Sequence, residues 1–158
     1  MTTSIFVTFQ VGRQTFALPL TAVQQIARLP ELTPIAGAPP IIAGLLDLRG
    51  TLIPVLIGHR LLDQPLSISL QSMVMVLSID TDQPQLGLLV DGVYGVQQIS
   101  SDNITPLTFG TDLLKASFRT PEGIVPVLDP PALLAYLDNT TTTVYTHHVG
   151  SDYRHINS

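Results

Sequence analysis

An all-β fold with short helices, arranged as two small barrels, is what this sequence predicts, and three observations carry that prediction. Short apolar runs alternate with turns rich in glycine and proline. The same order of segments occurs twice along the chain. Each copy is too short to close a sandwich of its own, so each reads as a barrel of about five strands packed against its twin. The chain has 158 residues, a length suited to one domain or to two very small units sharing a core.

The elements follow in order. Residues 5–11 and 15–26 are apolar-rich and flank Gly12-Arg13-Gln14, a glycine-containing turn that predicts a hairpin. Residues 30–40 carry prolines and glycines that neither a helix interior nor a central strand tolerates, so they form a loop. Residues 44–48 and 51–56 flank Arg49-Gly50 in a second strand–turn–strand unit, and 59–62 suit a single helical turn. After a connector at 65–71 the order returns: a segment at 72–79, a turn at 80–85 and a segment at 86–99 repeat the opening hairpin. Residues 129–137, opening on Pro130-Pro131, predict a short C-terminal helix, because proline suits a first helical turn.

The duplication is visible in the residues themselves. Val23-Gln24-Gln25-Ile26 recurs as Val96-Gln97-Gln98-Ile99, and Ile53-Pro54-Val55-Leu56 recurs as Val125-Pro126-Val127-Leu128, at nearly the same displacement. The expected organisation is one domain over 1–139, built of halves at roughly 5–70 and 72–137. A disordered tail is expected over 140–158, where a threonine run begins.

Composition limits the functions available. Hydrophobic residues make up 45% and charged residues 12% of the chain, about half the usual charged share, so the surface is unusually neutral. The net charge of −5 leaves no basic stripe to neutralise phosphates, which argues against nucleic acid as a partner. Apolar runs such as 41–46 and 52–57 fall far short of the ~20 residues that cross a bilayer. With no secretory pattern at the first residues and no cysteine, the expected location is the cytoplasm, without direct membrane insertion.

Chemistry is scarce. No Gly-x-Ser-x-Gly elbow, phosphate-cradling glycine loop or His-Glu-x-x-His helix occurs. Asp47, Asp91, Glu122 and Asp129 fall near turns and strand ends, where acids cap and solvate. His147, His148 and His155 lie in the polar tail without a supporting shell for a metal. The expectation is a protein without enzymatic activity, cofactor or metal, whose task is to hold other proteins together. Arg49 carries more weight: an arginine at a glycine turn in so uncharged a chain has either an internal carboxylate or carbonyl to tie, or an external partner. Gly44 and Gly50 are read as positions of positive φ or close backbone approach.

At these residues the chain resembles the CheW-like adaptors of bacterial chemotaxis-type signalling, over nearly everything from Phe6 to Leu137. The resemblance rests on Phe16-Ala17-Leu18-Pro19-Leu20-Thr21-Ala22-Val23 with Ile26, on Pro39, and on Gly44-Leu45-Leu46-Asp47-Leu48-Arg49-Gly50 followed by Ile53-Pro54-Val55. It continues in Gly87-Leu88-Leu89-Val90-Asp91-Gly92-Val93 and in Gly123-Ile124-Val125-Pro126-Val127-Leu128-Asp129. It implies two intertwined five-stranded SH3-like barrels and an adaptor that bridges the cytoplasmic tips of chemoreceptors to the regulatory domain of a CheA-type histidine kinase. By the same resemblance, Val23, Ile26, Gly44, Arg49, Gly50, Val90 and Val93 line or support the receptor groove and the kinase contact. Strand valines and leucines are more often core than surface, so about half of these are expected to be buried.

Two departures are noted. Gln25 stands where the family often has a glutamate that could pair with Arg49, and Leu56-Ile57-Gly58-His59 replaces the usual aspartate and leucine opening a short helix. The competing reading is a barrel that binds a small ligand or peptide apart from any kinase array. It requires an enclosed pocket rather than an open face.

Overall fold

The computed structural model describes residues 2–144, with side chains described through residue 140. Eleven strands form two sheets. The strands are β1 (Thr3–Val11), β2 (Gln14–Pro19), β3 (Val23–Arg28), β4 (Ile42–Leu48), β5 (Thr51–Ile57), β6 (Met73–Leu77), β7 (Leu86–Val90), β8 (Gly92–Ser100), β9 (Ile104–Pro106), β10 (Leu114–Thr120) and β11 (Gly123–Leu128). A one-turn helix, α1 (Gly58–Leu61), follows β5, and α2 (Pro130–Val144) closes the described chain.

The first sheet has the order β8-β1-β2-β11-β10-β9 and the second β3-β6-β7-β5-β4. These orders correspond strand for strand, and the counterpart of β9 is a single bridge between Thr33 and Leu45 beside β4. The reading of each half as a barrel of its own strands gives way to the intertwined barrels that the family resemblance implies. The opening hairpin β1–β2 joins the sheet built from the second half, while β6–β7 joins β3, β4 and β5 of the first, so the barrels intertwine. Two segments read as continuous runs break for this reason. Residues 15–26 divide at the 3-10 turn Leu20–Ala22, and 86–99 divide at Asp91, because at each point the chain crosses from one sheet to the other.

Each sheet is rolled on itself. Phe6 of β1 and Phe118 of β10, which are not neighbouring strands, stack across the first barrel with ring centroids 5.2 Å apart, among Ala17, Val125 and Val127. Leu46, Ile53, Val55, Ile57, Val74, Val76 and Leu89 fill the second barrel. A third and larger core lies between the sheets and takes Val7, Phe9, Phe16 and Leu18 from the first and Leu56, Met75, Leu77, Leu86, Leu88 and Val90 from the second. Alternation along β2 and β7 explains the arrangement. Ala17 and Leu89 face into their own barrels, while Phe16, Leu18, Leu88 and Val90 face the shared core. Such two-sided burial leaves residues 16–18 of β2 and the whole of β7 apolar.

The exchange requires parallel pairing of β2 with β11 at Ala17↔Val127, and of β7 with β5 from Gly87↔Val55 to Leu89↔Ile57. Both junctions use a small residue. At Gly87 an added Cβ would stand 2.8 Å from Val74 Cγ1 and 3.1 Å from Val55 Cγ2.

Helix α2 docks through Leu133 and Leu137 on the shared core, and Asp129 Oδ2 accepts the Ala132 N–H at 3.1 Å, capping the first turn. The expected end at Leu137 is too early, because the helix continues to Val144 through the start of the segment read as a disordered tail. The low helix propensity of threonine costs only a few tenths of a kcal/mol per residue, which a turn already nucleated and docked upstream can absorb. His147, His148 and His155 lie outside the described residues.

Gly87→Val is expected to destabilise the fold by roughly 1–3 kcal/mol, because the branched side chain overpacks the second barrel. Urea denaturation of both proteins checks this, and an unchanged midpoint would mean that β5 and β7 do not approach so closely.

Candidate protein-interaction faces

The β4–β5 hairpin is closed by a two-residue turn, since Leu48 pairs with Thr51. Both turn residues have positive φ, 53° at Arg49 and 91° at Gly50, as a hairpin matching the right-handed strand twist demands. The Asp47 carboxylate accepts the Gly50 N–H at 2.8 Å and locks the turn. Arg49 is exposed, and among the described residues its guanidinium has no hydrogen-bond or ion-pair partner. A side chain in the left-handed region costs roughly 1 kcal/mol that glycine or asparagine would avoid. Local folding therefore does not call for arginine there.

Arg49 shares an open cleft of about 460 Å³ with Gln24 and Gln25 of β3, Asp47, Leu48, Thr51, Gln83 and Pro84. The cleft lies at the end of the second barrel, where the β4–β5 turn meets the β6–β7 turn and the β3 edge. Gln25 and Arg49 thus come together as the sequence suggested, with no ion pair between them.

The other sequence-derived residues divide by burial. Gly44 is buried in β4, where an added Cβ would stand 2.8 Å from the Thr33 carbonyl oxygen; the Leu45 N–H donates to that same oxygen at 2.8 Å. Its role is close backbone approach. Val23, half-buried, packs on the shared core from β3, and Ile26 on the same edge strand is exposed. Val93 packs half-buried on the shared core from β8. Val90 is fully buried at the end of β7, so its side chain cannot line a contact face.

The first barrel ends in a matching way. Its β10–β11 hairpin has the two-residue turn Pro121-Glu122, in the place that Arg49-Gly50 occupies in the second. Glu122 lines an open cleft of about 530 Å³ with Arg13, Gln14, Tyr94, Gln97 and Ile124. The two turns thus carry charges of opposite sign, each beside a residue of the other sign in its cleft, Asp47 at Arg49 and Arg13 at Glu122. Tyr94, Val96 and Ile124 are each more than half exposed, an unusual state for large apolar side chains on strands. Sequence reasoning did not single them out; the signal available was that Val96 repeats Val23. Among the described residues no cluster of three or more His, Asp or Glu side chains is arranged to hold a metal ion. The clefts at both barrel ends are open rather than enclosed.

Intertwined barrels with open, charge-bearing ends define a protein-interaction scaffold rather than an enclosed ligand site. The comparisons agree with the geometry. This chain belongs to the CheW-like domain family, whose profile matches residues 6–138. It is 27% identical over 135 residues to the chemotaxis protein CheW of Klebsiella aerogenes, covering 82% of this chain and 81% of that one. It is 29% identical over 101 residues to CheW of Rhizobium meliloti, covering 63% and 64%. The fold is similar to the crystal structure of the scaffolding protein TtCheW from Thermoanaerobacter tengcongensis, with a TM-score of 0.73, 22% identity, and 81% and 90% of the two chains covered.

Thermal melts should separate the two turn-region roles. Gly44→Ala is expected to lose roughly 1–3 kcal/mol through collision with the Thr33 carbonyl. Arg49→Gly is expected to melt at or slightly above the parent, because glycine adopts positive φ freely. A destabilised Arg49→Gly would show that the guanidinium holds the turn after all.

Proposed function

We propose that this chain is a non-catalytic coupling scaffold of chemotaxis-type signalling, joining the cytoplasmic tips of chemoreceptors to the regulatory domain of a CheA-type histidine kinase. The observation that carries the reading is Arg49, a cation without a partner among the described residues, on a turn that would fold more easily without it, at the open end of the second barrel. A guanidinium held in no ion pair, with Asp47 the one carboxylate lining its cleft, gives orientation and encounter rate to a protein contact. Membership of the CheW-like family supplies the class of partner.

The contact is heterologous. The Arg49 end of the second barrel meets the unlike barrel end of a kinase regulatory domain of related fold, and a head-to-tail contact of this kind can close into a ring. The receptor tip is helical and docks on the apolar residues that flank the shared core, with Val23, Ile26 and Val93 at the contact and Val90 beneath it. Both partners act at the cytoplasmic side of receptor arrays. No helix among the described residues is long and apolar enough to cross a membrane.

Titration calorimetry against the kinase regulatory domain and against a receptor-tip fragment tests the reading. Arg49→Glu is expected to weaken kinase binding by about tenfold or more, as reversing a charge at a specific contact does, with an unchanged melting temperature. The wild-type affinity should also fall as salt is raised. Absence of binding to any kinase regulatory domain or receptor tip from the same cell would overturn the assignment.

A further inference from the structure

The most buried ionisable side chain of the fold belongs to none of these faces. His59, in α1, is fully inaccessible, and its Nε2 lies 2.9 Å and 3.0 Å from the two carboxylate oxygens of Asp91. A carboxylate only accepts, so Nε2 carries a hydrogen. Nδ1 is buried with no hydrogen-bond partner. Asp91 Oδ2 also accepts the Gly12 N–H at 2.6 Å, and the Asp91 N–H donates to the Gln10 carbonyl at 2.9 Å.

The placement of these atoms gives the cluster its meaning. Asp91 is the one residue between β7 in the second sheet and β8 in the first. Gly12 is the tip of the exchanged hairpin β1–β2, and His59 belongs to the helical turn that follows β5 of the other sheet. One carboxylate therefore ties three elements from both barrels. Gln64, just beyond α1, reinforces the tie by accepting the Arg13 N–H at 3.0 Å. Beyond Asp91 the chain enters β8, where the Tyr94 hydroxyl donates to Gln10 Oε1 at 2.7 Å and Gln10 Nε2 donates to the Gly12 carbonyl at 3.0 Å.

The corresponding helix of the other half is anchored differently. Asp129 caps α2, whereas Ile57 stands in the matching position before α1, which has no side-chain cap. A leucine in place of His59 would fill the core without leaving a nitrogen unpaired, so packing alone does not call for histidine.

We infer that His59 and Asp91 form a positioning latch, which sets the direction in which β8 leaves the shared core and so orients Val93 and Val96, which pair with Phe9 and Val7 of that core, toward the receptor-side helix. This rests on the coupling-scaffold reading for its partner, but the latch itself has a readout that needs none. In His59→Leu, Asp91 loses its restraint, and the Gly12 amide should exchange with solvent about tenfold faster or more, as local opening permits. The Gly50 amide, bonded to Asp47 at the far hairpin, serves as the internal control. Nitrogen NMR of the wild-type chain should show His59 as the Nε2–H tautomer.

With partners present, His59→Leu should weaken receptor-tip binding about tenfold, in the range by which residues behind a contact modulate it, while kinase binding stays within about twofold. His59→Gln, whose side-chain amide can donate where Nε2–H did, should recover most of the lost affinity. Should His59→Leu fail to fold, Asp91→Asn is read in the same way. Unchanged Gly12 exchange overturns the latch. Parallel loss of both affinities, or of neither, overturns its positioning role. Failure of the wild-type chain to bind either partner overturns the scaffold reading and leaves the exchange result standing.

Discussion

The apolar core between the two sheets is the constraint on which the rest of the molecule depends. Because β2 and β7 each serve a barrel on one face and this shared core on the other, neither barrel can be completed without a hairpin from the opposite half. Burial on both faces removes any choice of register for these strands, since a one-residue slip would exchange the two sets of apolar side chains between cores of different shape. The parallel junctions at Ala17 and Gly87 follow from the same demand, as a larger side chain would hold β11 or β5 away from its partner.

Interior packing of this kind leaves the barrel ends free of folding duties. Their two-residue turns need only a suitable backbone, which Asp47 and Gly50 supply at one end. The charges at Arg49 and Glu122 therefore sit on turns whose folding does not depend on them, Arg49 at the first turn position and Glu122 at the second. In a chain with only 12% charged residues, single charges at such places weigh heavily in orientation. The polar tie at Asp91 has the complementary task of holding the junction between barrels, where apolar contacts are non-directional and a hydrogen bond fixes an angle.

Much of the architecture was legible in the residues. The hairpin at Gly12, the loop over 30–40, the Arg49-Gly50 turn, the helical turn near His59 and the start of the C-terminal helix follow from local rules and occur where those rules put them. The repeated Val-Gln-Gln-Ile segments became the corresponding edge strands β3 and β8. Of the seven residues carried over by family resemblance, Arg49, Gly50 and Ile26 are exposed, Val23 and Val93 half-buried, and Gly44 and Val90 buried. The exposure of Tyr94 and Ile124 was not legible, because an apolar residue on a strand reads the same whether its face is covered or open, whereas for Val96 the repeat of Val23 was a signal.

By itself the sequence determined the β-rich class, the duplication, the turn positions and the family, because each depends on composition, on neighbouring residues or on a pattern shared along the chain. Tertiary structure alone decided which hairpin completes which barrel. It also decided which valines are core, and that a histidine in α1 meets an aspartate between β7 and β8. Those outcomes depend on strands distant in sequence competing to bury the same apolar faces, and local pattern carries no record of which partner prevails.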